Sequence, residues 1–359
     1  MHKLSISVQV YSQVSINHLT LEQCVLASQA QLTAPYFFQF DNDDLLLDSR
    51  CQSQAVARGE RLINQQTSQQ TSNKQELVVF SDLPIATLLA MLQHSELSIT
   101  ALGAINTRNQ QTSYRFNINC EDFASARQRL TEFSQQQGFE AALLQDAPQL
   151  SQPGLLVMDM DSTTIAIECI DEIAILAGVG EQVAQVTELA MQGQLDFAQS
   201  LHQRVATLAG APEQILEQVA NNLPLMPGLN TLIDTLKQHQ WRVAIASGGF
   251  TYFSEHLKQL LALDAAFANQ LEIHQGKLTG KVLGDVVDAQ TKAQSLSLLT
   301  SQYDIAWSQT VAVGDGANDL PMMKHAHLGV AFHAKPIVLE QADSSIKQAG
   351  LDCLLHWLA

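Results

Sequence analysis

The sequence predicts an α/β protein, with a parallel sheet covered by helices over residues 151–359 and a smaller α+β region before it. Three observations carry this. Leu155-Leu-Val-Met-Asp159, Val243-Ala-Ile-Ala-Ser247 and Thr310-Val-Ala-Val-Gly314 are short, uninterrupted apolar runs, as strands buried on both faces of a parallel sheet must be. Each ends in polar or glycine residues, at the strand ends where open α/β sheets place their ligands. Ahead of them, residues 77–144 alternate strand, helix, strand, strand, helix, strand, with Tyr114, Phe116 and Ile118 giving a period of two.

Length and composition set the frame. At 359 residues the chain exceeds what a single core usually serves, and 46% apolar residues supply material for two or more. Nineteen Lys and Arg stand against 36 Asp and Glu, a formal charge of −17, with no basic block to neutralise nucleic-acid phosphates. Met1–Val10 lacks the pattern of a secretory signal, and no apolar run approaches the roughly 18 residues of a membrane span. No nucleic acid and no membrane are therefore expected as partners. Cys24, Cys51, Cys120, Cys169 and Cys353 are odd in number and lie far apart, against both a disulfide framework and a structural zinc site. A reduced cytoplasm is the expected setting, and a homodimer the candidate assembly.

Residues 1–76 match no pattern and end in Asn64–Gln75, NQQTSQQTSNKQ, a polar linker with nothing to bury. Over 77–150 the strands are Leu77–Phe80, Ile99–Asn106, Thr112–Cys120 and Glu140–Leu144, and the helices Pro84–His94 and Asp122–Gln137. Pro84 is expected in a first helical turn, where a missing N–H costs nothing. This order is a split β-α-β unit and resembles ACT-type regulatory domains. Ser151-Gln-Pro-Gly154 is a turn-rich boundary before the α/β region.

Asp159-Met-Asp161-Ser-Thr163 follows the first apolar strand. One carboxylate can attack phosphorus while the other lies beside the leaving oxygen, and a solvated acidic turn is the alternative for this cluster alone. Gly314-Asp315-Gly-Ala-Asn318-Asp319 follows the third strand. Its carboxylates supply hard oxygens for Mg²⁺, with Asp315 as direct ligand and Asp319 acting through water or a neighbouring ligand. Ser247-Gly248-Gly249 offers a hydroxyl and backbone N–H groups to a phosphate, although such a stretch is more often a plain turn. Lys292 could supply a fixed positive charge, although an isolated lysine is usually solvated.

Taken in order, these four motifs resemble those of the haloacid-dehalogenase-like phosphatases over about Leu155–Phe332. That resemblance implies a Rossmann-like core, one Mg²⁺ per active site, Asp159 as nucleophile and Asp161 as acid and base. It also places Ser247 and Lys292 on the phosphoryl group. The metal ligands it implies are Asp159, Asp315 and the backbone carbonyl of Asp161.

The stretch from about 165 to 227 reads as a helical cap inserted over the site. Phe197, Leu201, Arg204 and Leu208 share one helix face there, and Glu168 opens the first insert helix. Glu168 and Arg204 could hold the ammonium and carboxylate of a zwitterion, or pair with each other, or face solvent; spacing alone favours the last two. The segments Ile167–Ala174, Leu195–Phe197, Ser200–Leu201, Arg204–Val205, Leu225–Gly228, Ile245–Phe250 and Val313–Met322 resemble the phosphoserine-hydrolysing branch of the family. This implies phosphoserine as the small-molecule substrate and the closing step of serine biosynthesis. Glu168 and Arg204 then hold the serine moiety, Ser247, Gly248 and Lys292 the phosphate, and Asn318 a further contact, with Met191 and Phe197 lining the cap pocket. A nearby rival is a phosphotransferase that passes the phosphoryl group to another alcohol such as homoserine. A rival of another class is an amino-acid-binding regulatory module in residues 1–150.

Overall fold

A computed structural model of the chain describes residues 20–22, 37–41, 44–48 and 74–359. The expected linker up to residue 73 lies outside the described residues, as do Cys24 and Cys51. The chain divides into two compact units, Met1–Ala147 with Leu355–Trp357, and Pro148–Leu354 with the final two residues.

In the first unit, β1 (Phe37–Asp41) and β2 (Asp44–Asp48) form a hairpin. The chain then runs β3 (Gln75–Phe80), α1 (Ile85–Ser95), β4 (Ser98–Arg108), β5 (Gln111–Asn119), α2 (Phe123–Gln137) and β6 (Glu140–Gln145). These four strands are antiparallel in the order β4-β5-β3-β6, the split β-α-β arrangement. Asn109 and Gln110 both take positive φ, 51° and 65°, and the two-residue turn they form matches the twist of the flanking strands. Leu77 and Val79 of β3 bury against Leu88 and Met91 of α1 and Leu130 of α2. Each such side chain contributes about 1.5–3 kcal/mol. Pro84 sits one position earlier than expected, as the N-cap of α1 with ψ 139°, because the extended backbone arriving from Leu83 continues through it. A buried Arg115–Glu76 pair at 2.8 Å extends to the carbonyls of His356 and Trp357, which is why the last helical turn belongs to this unit.

The second unit is built on seven strands ordered β10-β9-β8-β7-β11-β12-β13. They are β7 (Leu155–Met158), β8 (Arg242–Phe250), β9 (Ala265–His274), β10 (Lys277–Leu283), β11 (Thr310–Gly314), β12 (Leu328–Phe332) and β13 (Ser344–Ile346). All pairings are parallel except the β9–β10 hairpin, which turns on Gln275 and Gly276 with φ 51° and 73°. β7 is wholly buried because β8 and β11 flank it and helices cover both faces. The chain leaves β7 toward β8 on one side and later returns to β11 on the other, so the connections diverge at the carboxyl end of β7. Such a switch point opens a crevice for ligands.

Between β7 and β8 come α3 (Cys169–Leu176), α4 (Gly180–Met191), α5 (Phe197–Thr207), α6 (Gln214–Ala220) and α7 (Leu229–Gln238). Asp196 caps α5 by accepting from Gln199 N–H, while the Gln199 side chain reaches back. α7 buries Leu229, Leu232, Ile233 and Leu236, one face at helical spacing. Then follow α8 (Thr251–Leu260), α9 (Ala289–Gln302), α10 (Leu320–His325), α11 (Pro336–Gln341) and α12 (Leu354–Trp357).

The stretch Ser247-Gly248-Gly249 is not the plain turn its composition suggests. It lies inside β8, where the pairing to β9 shifts register between Ala246 and Phe250. The absence of side chains at Gly248 and Gly249 lets the strand bulge toward the crevice.

Candidate active site

The carboxyl ends of β7, β8, β11 and β12 and the cap helices enclose a cavity of about 260 Å³. Asp159 is the first residue beyond β7. Its N–H donates to the Val313 carbonyl at 2.9 Å and its own carbonyl accepts from Thr164 Oγ1 at 2.5 Å, so its backbone is fixed on both sides. Its carboxylate accepts from Met160 N–H at 2.7 Å through Oδ1 and pairs with Lys292 Nζ at 2.9 Å through Oδ2.

Lys292 comes from the first turns of α9, whose N-cap Asp288 accepts from Thr291 N–H. Its side chain is 1% exposed and also pairs with Asp319 at 2.7 Å. Burial opposes its charge, but Asp159 and Asp319 more than offset that, and the ammonium is held above the usual lysine range. Lys292 is therefore not solvated, as an isolated lysine usually is. Asp319 further accepts from Gly316 N–H at 3.0 Å, and Thr163 Oγ1 donates to Asp315 at 3.3 Å.

One carboxylate oxygen each from Asp159, Asp315 and Asp319 lies within 4.8 Å of the others. Such a set of hard oxygens fits a divalent cation. The Asp161 carboxylate is outside this cluster and accepts from Cys169 N–H at 3.0 Å. Burial, then the charges of Glu168 and Asp159, push its carboxyl up to about 7. Ser162, at φ 56°, turns the chain so that its hydroxyl donates to Glu168 Oε1 at 2.8 Å.

Phe197, Leu201 and Arg204 of α5 form the cap side of the cavity, with Ile170 and Glu168 beside them. Glu168 and Arg204 do not pair with each other among the described residues: Glu168 takes Ser162, and the buried Arg204 Nε has no hydrogen-bond partner. A guanidinium left so in a polar cavity is suited to an anion. Ser247 Oγ accepts from Gly249 N–H at 2.9 Å at the cavity wall.

A haloacid dehalogenase-like hydrolase family model matches residues 156–324. The chain is 64% identical over 210 residues to a phosphoserine phosphatase of Vibrio cholerae, a match covering 58% of this chain and 64% of that protein. It is 52% identical over 198 residues to a phosphoserine phosphatase of Idiomarina loihiensis, covering 55% of this chain and 90% of the relative. The crystal structure of a probable phosphoserine phosphatase from V. cholerae, in its unliganded form, superposes with TM-score 0.66 at 48% identity, over 80% of this chain and 86% of that one. The chain belongs to the phosphoserine phosphatase family of haloacid dehalogenase-like hydrolases.

The α/β architecture expected of a haloacid dehalogenase-like hydrolase is present. Asp159, Asp161, Glu168, Phe197, Arg204, Ser247, Gly248, Asp315 and Asn318 all line one cavity, with Lys292 and Asp319 buried beneath it. Met191 does not join them. It ends α4, a helix whose one buried residue is Val183, and it is 74% exposed and turned to solvent. Two further residues bear on the site that the sequence analysis does not single out. Lys335, three positions past the end of β12, lines the cavity and was findable by the same strand-end reasoning that marks Asp159 and Asp315. Asn269 is 1% exposed, and its Nδ2 donates to the Gly248 carbonyl while its Oδ1 accepts from Val287 N–H, both at 2.8 Å. It thereby ties the β8 bulge to the segment entering α9, a long-range bridge with no signal in sequence.

Two expected results follow from this haloacid dehalogenase-like site. In Gly248→Ala, the added Cβ would lie 2.6 Å from Phe197 Cζ and must displace the ring. We expect kcat/KM to fall about 10–100-fold, since a shift near 1 Å is costly in a positioned site; steady-state kinetics at the parental value would remove Phe197 as a constraint. The second concerns pH. Asp161 rises from 3.8 to about 7 on folding, and Asp315 and Glu168 shift the same way, chiefly through burial. The folded state then holds protons that the unfolded state lacks, so this stability is full below pH 4 or so and is lost as pH rises through about 7. Metal-free protein should be more stable at about pH 5 than at pH 8 by on the order of 2–4 kcal/mol. Denaturant midpoints that hold steady or rise toward pH 8 would refute this.

Proposed function

We propose that the protein hydrolyses O-phospho-L-serine to L-serine and phosphate in two displacements through Asp159. The observation that carries this is the Asp159 carboxylate at the strand end, held by Lys292 and the Met160 amide inside a cavity shared with Asp161. One Asp159 oxygen attacks phosphorus and forms the aspartyl phosphate, while the P–O bond to serine breaks and Asp161 gives its proton to the leaving oxygen. Water then attacks the same phosphorus, Asp161 takes back a proton, and the bond to Asp159 breaks to free phosphate. A carboxyl near 7 suits both proton transfers.

Ser247 Oγ, Gly248 N–H and Lys292 hold the phosphoryl oxygens in this reading, and Asn318 adds a further contact. The metal is Mg²⁺, one ion held by Asp159, Asp315 and the backbone carbonyl of Asp161, with Asp319 fixing Lys292 alongside. When bound, it supplies positive charge to the phosphoryl oxygens. Glu168 takes the ammonium of serine and Arg204 its carboxylate, against the ring of Phe197. Residues 77–150 act as an ACT-like regulatory domain, and residues 151–359, apart from Leu355–Trp357, as the catalytic domain.

Phosphate release from a phosphoester panel with Mg²⁺ tests the substrate; equal rates on all esters would defeat the assignment. Transfer to homoserine is the less favoured reading, since the curated relatives are phosphatases. No helix among the described residues is long and apolar enough to cross a membrane; the setting proposed, from the scattered cysteines of the sequence, is a reduced cytoplasm. A homodimer is the assembly proposed. Arg204→Leu should raise KM for phosphoserine about 50-fold, the loss of a charge-assisted contact, and leave phosphoethanolamine unaffected because it lacks the carboxylate. Equal losses on both esters would place Arg204 on the phosphate instead.

A further inference from the structure

Lys335 belongs to none of the four motifs. It is the N-cap residue of α11, just past the carboxyl end of β12, and it lines the cavity with Asp315, Gly316 and Asn318. It is exposed and forms no ion pair among the described residues. Two other cations stand at the cavity, and neither occupies the place of Lys335. Lys292 is buried between Asp159 and Asp319, and Arg204 stands on the cap side.

The same lining carries the carboxylates of Asp159, Asp161, Glu168 and Asp315, in a chain of formal charge −17. These carboxylates oppose the approach of a phosphate ester, and a cation at the mouth changes both encounter and retention. We propose that Lys335 is a substrate-capturing residue, its free ammonium drawing the phosphoryl end of the ester into the mouth and contacting it once bound. This rests on the phosphatase reading of the site. An exposed ammonium acts through a field that salt screens, so its contribution must fall as ionic strength rises.

The test compares the parent, Lys335→Gln and Lys335→Arg as full chains with Mg²⁺ on L-phosphoserine. Ionic strength runs from about 0.02 to 0.5 M, which shrinks the Debye length from roughly 20 to 4 Å. K335Q should raise KM about tenfold at the low end, the gap should narrow at the high end, and K335R should stay within about twofold of the parent. An unchanged KM at low salt, or a loss that salt does not reduce, overturns the proposal. Calorimetric titration with inorganic phosphate separates the two readings. If phosphoserine is not a substrate, weaker phosphate binding in K335Q still supports capture, and equal phosphate affinity in the parent and K335Q refutes it.

Discussion

Asp159→Asn should lower kcat by about 10⁴-fold or more while the protein stays folded. The amide has the size of the carboxylate but cannot form the aspartyl phosphate, so both displacements are lost together. The fold survives because Lys292, 1% exposed, keeps Asp319 as a partner at 2.7 Å. The backbone of Asp159 is held by Val313 and Thr164 whatever its side chain. Phosphate release and a thermal melt on the same sample check this. A variant that melts like the parent and retains a tenth of its rate would mean that water attacks phosphorus directly and that Asp159 serves only to hold the metal.

Lys292→Met should strike activity and stability at once. The ammonium lies between Asp159 Oδ2 at 2.9 Å and Asp319 Oδ1 at 2.7 Å, with Asp315 close by. Removing it leaves buried carboxylates facing one another with no cation among them, and breaking a buried pair in this way costs about 3–5 kcal/mol. The rate should fall about 10³-fold, because a preorganised charge at the phosphoryl oxygens is lost as well. Mg²⁺ should stabilise the variant more than it stabilises the parent, since it supplies the missing positive charge. Denaturant midpoints with and without Mg²⁺ measure the first effect and initial rates the second. A variant as stable as the parent without metal would show that the three aspartates do not need the ammonium to coexist.

The sheet strands were legible because full burial leaves a plain mark: Leu155–Met158 and Thr310–Gly314 can only be apolar if both faces are covered. Asp159 and Asp315 stood out for the complementary reason, as charges placed directly after such runs. Lys292 was marked by its place in the motif order and not by its own surroundings, since a lysine in a helix reads alike whether solvated or buried, and only the approach of β7 and the Asp319 turn shows that it is enclosed. Met191 misled for a similar reason, because a local match says which helix carries a side chain and not which way that helix faces.

What the sequence determined by itself is the chemistry on offer: two acidic strand ends, a glycine bulge, a cap with one inward cation, and an order that places them on a parallel sheet. Period and burial are local properties, so they are written residue by residue. Tertiary structure alone decided which of these groups meet. The Asn269 bridge spans 21 residues to Gly248, the Lys292–Asp319 pair spans 27, and Lys335 comes to line the same cavity. Such distances close only when β7, β8, β11 and β12 lie side by side, and the charge environment that moves Asp161 to about 7 exists only after they do.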